Sequence, residues 1–166
     1  MLLDVTQILR NQDEVLNFDE KISLDNKEFK QERIEFKEPV YAKGTVKNVG
    51  GVLVLEMEVS GSFTTVCDRC LKEITGNVSF SEEQSYVKSE SEEKGEDALY
   101  LTDKKIALYD LTIKCVFANL PSKNLCSEDC KGICHKCGAD LNLEKCKCKD
   151  EDDWNPQFEI LKGLFT

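Results

Sequence analysis

Hydrophobic and polar positions alternate most cleanly over residues 52–59, where Leu53, Leu55, Met57 and Val59 share one face while Glu56 and Glu58 take the other. A period of two is the signature of a half-buried strand. Residues 40–46 offer a partner strand, and Asn48-Val49-Gly50-Gly51 supplies residues that tolerate positive φ, so the two are expected to form a hairpin. A further strand pair is expected around Cys67 and Cys70, with residues 61–66 leading in and 74–87 leading out on Ile74, Val78, Phe80 and Tyr86 as apolar anchors.

The pattern then breaks. Residues 89–97 contain no apolar side chain apart from the glycine and are mostly acidic, which predicts a solvated loop that cannot offset its own ordering entropy. From 110 to 120 the apolar positions Leu111, Cys115 and Ala118 follow a helical stripe; Asp110 suits the first turn and Pro121 discourages continuation. Cys115 on that stripe reads as a small buried hydrophobe. Trp154, Phe158, Leu161 and Phe165 at helical spacing predict a terminal helix in the tail. The expected organisation is a β-rich body over 1–121, a cysteine-rich module over 122–150 and a helical tail over 151–166. The expected fold class is α+β: an antiparallel β-rich body, barrel-like or an open sheet, with a short helix and a C-terminal cysteine-rich module.

With 166 residues, 40% hydrophobic and 33% charged, the chain can bury a real core and still carry a smaller appended unit. A net charge of -10 and a pI near 4.7 argue against a surface that tracks phosphates throughout, and make basic partners easier to accommodate. No basic stretch followed by an apolar run opens the chain, and no apolar run approaches the roughly 18 residues of a membrane span, so a cytoplasmic protein is expected.

Cysteine changes the picture most. Eight of the nine fall in close pairs: Cys67/Cys70, Cys126/Cys130, Cys134/Cys137 and Cys146/Cys148. Loops this short let two sulfurs converge on one tetrahedral ion, whereas a disulfide across Cys146-Lys147-Cys148 would be strained. An odd cysteine count also speaks against a disulfide framework, and the knuckle-like pairs suit zinc better than an iron–sulfur cluster. Cys134-His135-Lys136-Cys137-Gly138 has the form of a zinc knuckle, and eight residues later come Cys146 and Cys148, so these four form one local site at little loop-closure cost. By elimination Cys126 and Cys130 pair with Cys67 and Cys70; a single zinc with spare thiols, or Cys130 exchanging with a cysteine of the last pair, are the alternatives. Two zinc ions are thus expected.

Cys67-Asp68-Arg69-Cys70 on a hairpin, Asp110-Leu111 in a helix ending Asn119-Leu120-Pro121, and the run from Leu125-Cys126 through Cys130-Lys131-Gly132-Ile133-Cys134 to Asn142 resemble the bacterial YceD family, closest to its cysteine-rich Gram-positive branch. The resemblance implies a non-enzymatic factor supporting 23S rRNA accumulation and large-subunit assembly, with ribosomal protein L32 or large-subunit rRNA as partner. Lys131, Lys136, Lys145, Lys147 and Lys149 crowd the cysteine module and are candidate partner contacts. The competing readings are a zinc- or redox-responsive adaptor, and a metal- or thiol-dependent enzyme. The latter would need an open coordination position, while all eight candidate ligands are cysteines and the one histidine, His135, sits inside the knuckle.

Overall fold

The computed structural model describes residues 1–11, 14–87 and 98–148. Along them run β1 (Leu3–Asp4), α1 (Thr6–Arg10), β2 (Val15–Ile22), β3 (Val40–Val49), β4 (Val52–Val66), β5 (Glu73–Val87), β6 (Leu99–Tyr100), β7 (Lys105–Ile106) and α2 (Leu108–Asn119). Strands β2 to β5 form an antiparallel meander, β6 adds to β5 in parallel, and β1 pairs with β7 in a separate ribbon. The edges β2 and β6 do not meet, so the sheet is open rather than a barrel. The acidic stretch 89–97, Lys149 and the tail 151–166 lie outside the described residues.

The first hairpin forms as its sequence dictates. Gly50 and Gly51 both hold positive φ (61° and 97°), the amide of Gly51 donates to Asn48 Oδ1 at 3.0 Å, and Val49 faces Val52 across the turn. Val46, Leu55, Met57 and Val59 then line the inner face. On the outer face Lys43 pairs with Glu58 at 2.9 Å and Lys47 with Glu56 at 2.8 Å.

Residues 52–59 and 61–66 are not separate strands: β4 runs unbroken through Gly61 for 15 residues. Glycine is needed there for a close approach and not for a turn, because a Cβ would come within 2.7 Å of the Val40 side chain. Further along, the ring of Phe63 lies over its cross-strand partner Gly76, filling the room that the missing side chain leaves.

Three pieces cover the apolar face. Ile8 comes from α1; Leu108, Leu111, Ile113, Cys115 and Val116 come from α2; and the irregular segment between β2 and β3 contributes Phe29, Ile34 and Phe36. Phe29 stacks on Phe117 with centroids 4.5 Å apart and meets Phe36 edge-on at 5.0 Å, so this segment and α2 close over each other. Asn26 splints the segment by accepting the Phe36 amide at 2.9 Å and donating to its carbonyl at 3.2 Å. Helix α2 starts two residues before the stretch expected from the apolar stripe. The carbonyl of Ala107 already accepts the Leu111 amide at 3.1 Å, which leaves Asp110 in the first turn, favourable to the helix dipole, and not at the cap. The helix ends where Leu120 turns extended before Pro121.

Candidate metal centres

Strands β4 and β5 deliver Cys67 and Cys70 at their shared tip. The loop closes through Cys67 N–H to Lys72 O (2.8 Å) and Leu71 N–H to Cys67 O (2.9 Å), with Leu71 at φ 58°. The two residues between the cysteines face the chain that follows α2. Asp68 donates its amide to Asn124 O at 2.8 Å and accepts the Asn124 amide on Oδ2 at 2.7 Å; Arg69 Nη1 reaches Cys130 O at 2.7 Å and Glu128 O at 3.3 Å. This clamp brings Cys126 and Cys130 over the tip, with Cys67 and Cys130 sulfurs 3.8 Å apart and Cys70 and Cys126 sulfurs 3.6 Å apart.

The second group is built locally. Gly138, at φ 74°, turns the chain so that its amide donates to Cys134 O at 2.8 Å, while the Cys134 amide donates to Ala139 O at 2.8 Å. That is the knuckle turn expected of a glycine after the second cysteine. Cys146 Sγ then lies 3.2 Å from Cys134 Sγ and 3.5 Å from Cys137 Sγ, and the Cys148 amide donates to Cys146 Sγ at 3.2 Å.

Eight sulfurs thus gather into two groups, Cys67/Cys70/Cys126/Cys130 and Cys134/Cys137/Cys146/Cys148, each with its ligand atoms within 4.8 Å of one another. Two sulfurs bound at about 2.3 Å to one tetrahedral ion sit roughly 3.8 Å apart, while a disulfide needs about 2.05 Å. All nine thiols are free, and the spacing is compatible with a shared ion. Electrostatics agree. The amide of Cys70, with those of Cys126 and Arg69, holds the Cys67 thiol down to about 6 against its burial; the amide of Cys137, with Cys146 Sγ and the Lys136 amide, does the same for Cys134, also to about 6. For Cys70 the Lys72 amide pulls down, but burial and the thiols of Cys67, Cys126 and Cys130 outweigh it and push the group up to about 12. Neighbouring Cys146 and Cys137 push Cys148 up to about 12 likewise. In each group one thiol, Cys67 or Cys134, ionises readily while a neighbour, Cys70 or Cys148, resists, as converging sulfurs do unless a cation neutralises them. The groups can therefore hold metal ions.

Of the lysines singled out in the sequence, Lys131, Lys136, Lys145 and Lys147 are exposed around the second group; Lys149 falls outside the described residues. Exposed too is His135. Cys115 belongs to neither group: it is buried on α2, where desolvation first and Glu82 second push its thiol up to about 11. Sequence reasoning missed the residues that join the pieces. Asp68 and Arg69 lay in plain sight between two clustered cysteines, and charged side chains inside so short a loop are a usable signal. Asn142 gave no signal of its own, yet its Oδ1 accepts the Lys131 amide at 2.7 Å and its Nδ2 lies 3.5 Å from Cys130 Sγ.

Among the described residues no helix is long and apolar enough to cross a membrane. No solved structure matches the chain. An uncharacterized protein of Mycobacterium leprae (strain TN) is 30% identical over 115 residues, covering 67% of this chain and 53% of that protein, so the chain spans about half the length of this curated relative. Residues 55–165 match the family described as large ribosomal RNA subunit accumulation protein YceD, a stretch that begins inside β4 and takes in the hairpin tip, α2 and all eight clustered cysteines. By that match over most of its length, the chain belongs to the YceD family.

Proposed function

We propose that this chain is a zinc-stabilised, non-enzymatic factor of the cytoplasm that supports 23S rRNA accumulation and large-subunit assembly. The observation that carries the reading is the closure of both sulfur groups: four thiols converge in each, which favours an architectural ion over one that keeps a position open for substrate. The four sulfurs of each group would hold one zinc ion, joining the hairpin tip to the chain after α2 in one case and folding the knuckle in the other. Bound there, zinc supplies a charge that lets all four thiols ionise together. Native mass spectrometry of the purified chain is expected to find two zinc ions per molecule, and a metal-free chain with intact tertiary structure would sink this part.

Exposed Lys131, Lys136, Lys145 and Lys147, with Lys149 beyond them, give the module a local means of meeting rRNA phosphates that the acidic body lacks. The net charge of -10 favours a second reading, direct contact with a basic protein such as ribosomal protein L32. Affinity purification after crosslinking separates them. Recovery of 23S rRNA that falls with salt and with lysine substitution supports RNA contact, while L32 recovered undiminished after ribonuclease supports the protein.

A further inference from the structure

Only Lys131, Gly132 and Ile133 separate Cys130 of the first sulfur group from Cys134 of the second. Two of them are held by the loop of the second group and the third by the first group. The Lys131 amide donates to Asn142 Oδ1 at 2.7 Å, and Asn142 belongs to the loop between Cys137 and Cys146. The Gly132 carbonyl accepts the Leu141 amide from that same loop at 2.9 Å. The Ile133 amide donates to Arg69 O at 3.1 Å, and Arg69 stands between two ligands of the first group. Gly132 has φ 76°, and a Cβ there would lie 2.8 Å from Arg69 O, so only glycine suits the link at this close approach.

Asn142 closes the circuit. Its own amide and Nδ2 are anchored on Asp140 Oδ1 at 2.8 and 2.7 Å, and Nδ2 also points at Cys130 Sγ from 3.5 Å. A side chain from the loop of one group therefore offers an N–H to a sulfur of the other. Hydrogen bonds to a ligand sulfur from outside the coordination shell orient it and stabilise its thiolate form.

We propose that the two centres fill cooperatively, with Asn142 as the positioning residue that couples them. An ion in the knuckle fixes the loop that carries Asn142 and Leu141, and so presets Cys130; an ion at the hairpin tip fixes Arg69 and Cys130, and so presets Cys134. Coupling of this kind is reciprocal, and its usual size is about 5- to 150-fold in affinity. The proposal rests on both sulfur groups holding metal.

The test is a cobalt(II) titration of the reduced, metal-free full chain, followed by native mass spectrometry and by the thiolate-to-cobalt absorption bands. At one equivalent, the wild-type chain is expected to divide mainly between molecules with no ion and molecules with two. Asn142→Asp keeps an oxygen for the Lys131 amide but turns a carboxylate oxygen toward Cys130 Sγ. It is expected to make one-ion molecules dominant, their spectrum matching that of a Cys126→Ser chain that retains the knuckle alone. Wild-type occupancy that follows independent sites overturns the coupling and leaves the metal reading standing. Asn142→Asp behaving as wild type overturns the N–H to sulfur role, since a merely structural contact through Lys131 would survive that change. A wild-type chain that takes up no cobalt removes both.

Discussion

The sheet and the cysteine module hold themselves together by different means. Inside the sheet the packed residues are aliphatic and aromatic, among them Val46, Leu53, Leu55, Val59 and Phe29, and α2 seals them. Between residues 122 and 148 the buried hydrophobic side chains are two cysteines, Cys130 and Cys134, while Leu143 is 85% exposed. The module has almost no apolar surface to remove from water. Its shape is written in backbone hydrogen bonds, two left-handed glycines and converging sulfurs, which by themselves do not offset the entropy of ordering such a segment. The sheet is stable through burial; the module instead offers two groups of sulfurs that could be tied by metal ions.

The comparison breaks most visibly on metal removal. Structural zinc contributes an apparent ~10–16 kcal/mol in small zinc-binding peptides near pH 7, so chelation is expected to collapse the module while the sheet persists. Amide resonances of residues 122–148 should lose dispersion, with those of β3 and β4 largely unmoved; loss of both together would show that the halves are one cooperative unit. Next in size, Leu55→Ala in the sheet should cost about 2–5 kcal/mol in denaturant unfolding and leave metal stoichiometry intact. Arg69→Ala should do the reverse. Removing its contacts to Cys130 O and Glu128 O is expected to weaken metal binding at the hairpin tip by roughly 10- to 100-fold, read by competition with a chelator, with little effect on the sheet. Smallest is Lys47→Ala: its pair with Glu56 is exposed on the outer face, and neither the thermal midpoint nor metal content should change measurably.

What could be read beforehand follows the same division. The hairpin around Gly50 and Gly51, the apolar face of Leu53 to Val59 and the helix before Pro121 all carry periodic or turn signals within a few residues, and all are present in the fold. Helix α1 spans five residues without a side-chain cap, too short for a period to show. The segment holding Phe29 and Phe36 has no period at all, because its shape comes from Asn26 and from rings packed on α2. That 52–59 and 61–66 are one strand did not show, since the role of Gly61 depends on Val40, a neighbour 21 positions away in the chain. Cysteine spacing made the local group legible. The long-range group was reachable only by elimination, for the side chains that hold it, Asp68 and Arg69, act on partners 56 to 61 positions distant.

That distance has a consequence for how the protein is made. Cys70 and Cys126 stand 56 positions apart, and a ribosome adding about 5–20 residues per second needs roughly 3–11 seconds to get from one to the other. Through that interval the nascent hairpin carries two thiols without their partners, and the knuckle, able to close by itself, emerges only after those partners. The long-range tie cannot be fastened until α2 has emerged and Cys126 and Cys130 have followed it. A stall between α2 and Cys126 would leave a folded sheet bearing two oxidisable thiols of a half-made candidate metal centre.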